Sequence, residues 1–192
     1  MHDHSLERAW SLKTLAHLLE EVASGTGRCV LVSGAAGSGK SSLVECFAAL
    51  HGASARFCWG QLEAASTPKP RTPVHSIVQH LQSPVSEGLA HGANRALSMS
   101  DVLHWLSAGP KPTVAVIEDV HLATESMLDL LKFLGRRVQQ VPILLLLTYR
   151  DDEIGPDHPL RFLLGDLPSR STRRIHLRQD EKQDDGIAPV GQ

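Results

Sequence analysis

Residues 34–41 read Gly34-Ala35-Ala36-Gly37-Ser38-Gly39-Lys40-Ser41, a complete G-x-x-x-x-G-K-S string. An apolar run, Cys29 to Ser33, precedes it, and a helical pattern with Leu43, Val44, Phe47, Ala48 and Leu50 follows. Few folds accept that order, because the loop must leave a buried strand and open the next helix. Anion chemistry explains the residue types. Gly34, Gly37 and Gly39 let the backbone wrap closely and aim successive N–H groups at phosphate oxygens. The new helix adds roughly half a positive charge at its start. Lys40 is placed to reach β- and γ-phosphates, and Ser41 to set its hydroxyl on Mg²⁺. The candidate nucleotide-binding residues are therefore Gly34, Ala35, Ala36, Gly37, Ser38, Gly39, Lys40, Ser41 and Ser42. The expected ligand is a nucleoside triphosphate with Mg²⁺. A plain glycine-rich turn is the competing reading, and the flanking strand and helix argue against it.

A chain of 192 residues fits one domain that buries about 70% of its unfolded surface. A net charge of −2 gives no electrostatic footprint for nucleic acid, although Arg170 to Arg178 is locally basic. No apolar run approaches the ~20 residues that cross a bilayer, and the start, Met1-His2-Asp3-His4, lacks the form of a signal peptide. Cys29, Cys46 and Cys58 form no C-x-x-C, so reduced thiols and a cytoplasmic location are expected. The eleven histidines show no metal-ligand spacing.

Strand and helix signals alternate along the chain. Leu6 to Val22 carries a helical stripe closed by Ser24-Gly25-Thr26-Gly27, and a strand is expected near 28–33. Arg56 to Trp59 reads as a short second strand, and Pro68, Pro70 and Pro73 exclude a regular helix after it. Val74 to Leu81 and Ser100 to Leu106 read as short helices. Thr113 to Ile117 is a continuous apolar run suited to a central parallel strand. Thr124 to Val138 is helical, Ile143 to Tyr149 is another buried strand, and Arg174 to Leu177 is a last one. From Gln179 the chain turns polar and acidic and is expected to be disordered. The expected fold is α/β, a three-layer P-loop NTPase sandwich with a mostly parallel central sheet. It divides into an N-terminal helix (1–27), a core (28–178) and a tail (179–192), without a lid domain.

The strand Thr113 to Ile117 ends in Glu118-Asp119, the form of a Walker B element. Ligands of an open parallel sheet sit beyond the carboxyl ends of its strands, where the phosphate loop also lies. Glu118, with Ser41, is assigned to the Mg²⁺ shell through water, and Asp119 to the attacking water. Acids that merely cap the next helix are the bland alternative. The strand ending Thr148-Tyr149-Arg150 puts Thr148 or Arg150 beside the γ-phosphate as a sensor, unless Arg150 simply pairs with Asp151 or Asp152. The candidate catalytic set is thus Lys40, Asp119 and Arg150. Arg136-Arg137 end a helix, where they complement its dipole, with a role as an arginine finger at a neighbour's γ-phosphate as the alternative, and His121 beside the acids suits a supporting role.

These residues carry a resemblance. The chain is similar to the N-terminal ATPase domain of the large ATP-binding regulators of the LuxR type, MalT-like members of the STAND branch of AAA+-related P-loop ATPases. The matching stretches include Leu6-Glu7-Arg8, Val32 through Ser42, Trp59-Gly60 and Thr67-Pro68-Lys69-Pro70. More specific are Ile117-Glu118-Asp119-Val120-His121, Leu128 to Arg137, Thr148-Tyr149-Arg150-Asp151-Asp152-Glu153 and His158-Pro159-Leu160-Arg161. The family commonly writes H-W-A-D after its acids, whereas this chain has His121-Leu122-Ala123-Thr124. Thr124 can still cap the next helix. The resemblance implies a switch in which ATP–Mg²⁺ binding changes domain contacts and slow hydrolysis resets it. It implies a protein partner or self-association; no DNA-reading module and no membrane segment is expected in this chain, which matches the family as a truncated form. A nucleotide-binding remnant without hydrolysis and a P-loop small-molecule kinase are the alternatives.

Overall fold

A computed structural model describes residues 2–61 and 98–179, with side chains described from residue 5 and excepting Gln61. Five strands form one wholly parallel sheet: β1 (Arg28–Ser33), β2 (Arg56–Gln61), β3 (Thr113–Glu118), β4 (Ile143–Tyr149) and β5 (Thr172–His176). Their order across the sheet is β2-β3-β4-β1-β5. The described helices are α1 (His2–Ala23), α2 (Lys40–His51), α3 (Met99–Ser107), α4 (Glu125–Arg137) and α5 (Leu160–Asp166).

Parallel strands need crossovers, and the crossovers cover both faces. Every residue of β3 and β4 is accordingly buried. Alternate side chains separate into two cores. Val30, Val32, Val114, Val116, Leu144 and Leu146 pack with Leu15, Leu19 and Val22 of α1 and Leu43, Val44 and Phe47 of α2. Leu31, Ala115, Ile117, Leu145 and Leu147 face the other way, against Val102 and Leu106 of α3, Leu130, Leu131 and Leu134 of α4, and Leu160 and Leu163 of α5. Each fully buried leucine contributes about 1.5–3 kcal/mol, so the two layers, not helix propensity, set the arrangement.

The three-layer α/β sandwich expected from the sequence is the fold observed. β2 runs two residues beyond the expected Trp59, because its pairing with β3 continues to Gln61 opposite Glu118. β5 starts earlier, at Thr172, which pairs next to β1 in register with Cys29. α4 ends at Arg137, and a 3-10 turn, Val138–Gln140, takes up the residue expected to be its last. Thr124 does occupy the N-cap of α4, but its side chain makes no capping bond; its hydroxyl lies 3.2 Å from Ser126 Oγ instead. The expected helix Val74 to Leu81, the proline-rich stretch before it and most of the expected disordered tail lie outside the described residues.

Candidate nucleotide site

The loop between β1 and α2 is shaped by steric necessity. Gly39, at the N-cap of α2, holds φ 85° and Gly37 holds φ 77°, a left-handed region that only glycine enters at little cost. At Gly34 an added Cβ would lie 2.4 Å from the Leu177 carbonyl oxygen and 2.6 Å from Ser38 Oγ. That end of the loop therefore needs the smallest residue for space as well as for φ.

Lys40 is the first residue of α2 and is only 7% exposed. Its ammonium turns back onto the loop, donating to the carbonyls of Gly34 at 2.7 Å and Ala35 at 2.8 Å, with Ser38 Oγ at 3.4 Å. Burial lowers its pKa, as does the Arg150 charge, while Asp119, Asp152 and Asp151 oppose that shift.

Glu118 ends β3 and is buried. Its Oε2 accepts a hydrogen bond of 3.3 Å from the Ser41 hydroxyl, while its Oε1, also buried, has no hydrogen-bond partner among the described residues. Burial is the main cause of a raised carboxyl pKa, to which the Asp119 charge adds, tempered by hydrogen bonding from Ser41 and Trp59. An acid sealed from water does not serve as a solvated helix cap. An unpartnered carboxylate oxygen next to a serine hydroxyl fits instead the hard, oxygen-seeking chemistry of Mg²⁺.

Asp119 is the only non-glycine residue with positive φ among those described, at 55°. Asp tolerates this conformation better than most residues, and it turns the chain out of β3 into the 3-10 turn Val120–Leu122. The Asp119 N–H donates to Thr148 Oγ1 at 3.2 Å, so the end of β4 fixes the backbone at this bend. This backbone bond brings Thr148 and Asp119 together, a contact that the sequence alone does not reveal.

Arg150 lies beyond the end of β4. Its guanidinium donates to Glu153 Oε1 at 2.5 Å, so neither Asp151 nor Asp152, the partners weighed from sequence, is the one it takes. His121, buried against this turn, has its Nε2 3.1 Å from Glu153 Oε2, and the Arg150 backbone N–H points at its Nδ1 from 3.5 Å. With Nδ1 accepting, the neutral ring donates from Nε2 to Glu153. Burial lowers the His121 pKa despite Glu153 and Asp119 nearby, which agrees with a neutral ring.

The remaining sequence candidates sit elsewhere. Arg136 lies 3.8 Å from Asp166, which also pairs with Lys132, and Arg137 stacks over the Phe133 ring at 4.0 Å. These contacts tie α4 to α5 and to its own surface. No cluster of three or more histidine, cysteine and carboxylate side chains is found among the described residues, and no described helix is long and apolar enough to cross a membrane.

Sequence reasoning missed the cavity beside the loop. It measures about 430 Å³ and is lined by Glu7 and Arg8 of α1, Gly37 to Gly39, Leu43, Leu177 and Arg178. An added Cβ on Gly39 would come within 3.4 Å of an Arg8 guanidinium nitrogen. Leu6-Glu7-Arg8 carried the only available signal, and as a sequence string it does not say which way α1 docks.

Residues 5–147 match a family model described as AAA ATPase domain. No curated protein matches the chain. Among solved structures, it is similar to a chain of the Drosophila ORC bound to poly(dA/dT) DNA and Cdc6, with TM-score 0.54, 15% identity, and coverage of 90% of this chain and 29% of that one. It is similar to Cdc6p from Pyrobaculum aerophilum, with TM-score 0.55, 16% identity, and coverage of 88% and 45%. It also resembles the Walker-type ATPase PABY2304 of Pyrococcus abyssi, with TM-score 0.58, 16% identity, and coverage of 93% and 54%. At these identities the likeness is one of fold. The chain spans from under a third to about half the length of these three neighbours.

Proposed function

The chain belongs to the AAA ATPase domain family, and from that premise we propose that it is an ATP-binding switch domain that hydrolyses its nucleotide slowly. The contact between Ser41 Oγ and Glu118 Oε2 at 3.3 Å carries this reading. It brings the hydroxyl that ends the glycine loop to a buried carboxylate on a separate strand, leaving the second oxygen of that carboxylate without a hydrogen-bond partner.

In this reading the loop amides of residues 34–42 and the Lys40 ammonium bind the β- and γ-phosphates, the ammonium exchanging the Gly34 and Ala35 carbonyls for phosphate oxygens. The base and ribose enter the cavity beside Arg8 and Leu177. Ser41 and Glu118 hold hydrated Mg²⁺, which when bound supplies charge neutralisation at the β- and γ-oxygens. Asp119 orients and polarises the attacking water, with Thr148 steadying its backbone, and Arg150 senses the γ-phosphate. Phosphoryl transfer depends mainly on such positioning and electrostatics.

The E-D-V-H and T-Y-R-D-D-E strings support placing the domain with signal-responsive regulators of the LuxR, MalT-like type. Residues 28–178 then form the ATPase core, acting on a protein partner or a second copy in the cytoplasm. Steady-state turnover of ATP with Mg²⁺, for wild type against Asp119→Asn, tests the proposal. A slow rate abolished by the substitution supports the switch. Tight binding without turnover points to a nucleotide-binding remnant, and absence of ATP binding overturns the reading.

A further inference from the structure

Glu153 divides its two carboxylate oxygens between different partners. Oε2 lies 3.1 Å from Nε2 of His121, whose side chain is only 2% exposed, and Oε1 receives the Arg150 guanidinium at 2.5 Å. One end of the carboxylate is therefore held by a ring locked in the protein, while the other reaches a guanidinium that is 39% exposed. Arg150 is also close enough to the phosphate loop for its charge to depress the Lys40 ammonium.

We propose that Glu153, anchored by His121, is a latch that competes with the γ-phosphate for Arg150 and so sets the preference of the site for ATP over ADP. This inference rests on the nucleotide-site reading above and extends it to a residue outside the phosphate loop and the strand-end acids. The physical basis is competition between two anions for one cation. A nucleotide shifts that competition only through an interaction it makes in one state and not the other. ADP lacks the γ-phosphate and leaves Arg150 on Glu153. ATP draws the guanidinium away, freeing one oxygen of Glu153 and loosening the turn after β4. Because Arg150 and Glu153 are 39% and 41% exposed, the latch is weak enough for a phosphate to open, about fivefold at most in equilibrium terms.

The test is titration of the full chain with Mg²⁺ and two fluorescent ligands, a non-hydrolysable mant-ATP analogue and mant-ADP. Glu153→Gln keeps the size of the side chain but drops its charge. It is expected to tighten the ATP analogue by about two- to fivefold and leave mant-ADP unchanged. Arg150→Gln reads the same equilibrium from the other side, weakening the analogue alone, and in the double variant the gain from Glu153→Gln disappears. Equal changes for both nucleotides in either variant, no change in either, or a gain that persists without Arg150 overturns the latch. Wild type that binds neither ligand overturns the nucleotide-site reading and the latch with it. Wild type that binds both while the variants leave selectivity unmoved overturns the latch alone.

Discussion

Ser41 donates its hydroxyl hydrogen to Glu118 across 3.3 Å, although 77 residues of chain separate the two. Ser41 lies in the first turn of α2 and Glu118 closes β3, so the contact joins the two places where charge must converge on a phosphate-bound cation. It also leaves a carboxylate buried at a cost. Glu118→Gln preserves the shape and the bond from Ser41 but removes the charge.

Two outcomes follow for Glu118→Gln. ATP affinity in EDTA should be unchanged while the gain on adding Mg²⁺ disappears, as read by Mg²⁺ titration of a nucleotide complex. Stability should rise, because a buried carboxylate with no cationic partner costs free energy that its hydrogen bonds offset only in part. A gain of about 1 kcal/mol would raise Tm by roughly 2–4 °C. Retained Mg²⁺ dependence would show that the cation is held elsewhere.

Lys40 is the second point of leverage. Its ammonium satisfies two loop carbonyls at 2.7 and 2.8 Å, which keeps a cation within the loop. Lys40→Ala should weaken binding of a fluorescent ATP analogue by at least about a hundredfold, since charge-assisted bonds to phosphate are worth about 1.5–3 kcal/mol each. The fold should lose about 1–3 kcal/mol, because the buried Gly34 carbonyl is left unpaired while the part-buried Ala35 carbonyl can turn to water. Circular dichroism separates the two effects. Unchanged nucleotide affinity would reject the assigned site.

The phosphate loop, the acids after β3 and the alternation of strands and helices are legible in the sequence because each depends on local chemistry. Glycine spacing, a β-branched run and helical periodicity are written over a few adjacent residues. The partner of Arg150 is not legible in this way, since Asp151, Asp152 and Glu153 are all acids within reach in sequence. Only the bend after β4 and the buried ring of His121 select Glu153. The cavity at Arg8 was hidden for a similar reason, because it depends on how α1 docks over α2. The start of β5 was displaced because Thr172 pairs by adjacency to β1, although exposed Arg173 and Arg174 interrupt its apolar pattern.

Two glycines outside the loop predict opposite responses to alanine. A Cβ on Gly27 would meet the backbone oxygens of Val138 at 2.0 Å and Val141 at 2.4 Å, atoms that cannot step aside without moving the turn that leads into β4. Gly27→Ala should therefore destabilise by about 3 kcal/mol or more, as overpacking does. Gly165 lies in α5 with nothing within 4 Å of its added Cβ. Gly165→Ala should stabilise by about 0.5–1 kcal/mol through helix propensity. Urea unfolding of the two variants checks both signs, and a loss at Gly165 would place a neighbour over α5.

Cys29 gives the last expectation, on alkaline stability. Its side chain on β1 is fully buried in the core, and burial pushes its thiol from the ordinary 9.0 up to about 12. The thiolate is the charged form, so the folded state keeps its proton where the unfolded chain has lost it. Stability from this group is intact below pH 9 and falls as pH rises from 9 towards 12. The slope approaches about 1.4 kcal/mol per pH unit for one such thiol. Cys58 is shifted in the same direction, again chiefly by burial, and steepens the loss. Urea unfolding at pH 8, 9 and 10 should show wild type weakening faster than Cys29→Ala, with the difference between them shrinking as pH rises. Iodoacetamide at pH 8 should modify the partly exposed Cys46 in the native protein and reach Cys29 only after denaturation. Rapid native labelling of Cys29 would mean that β1 opens far more readily than its place between β4 and β5 allows.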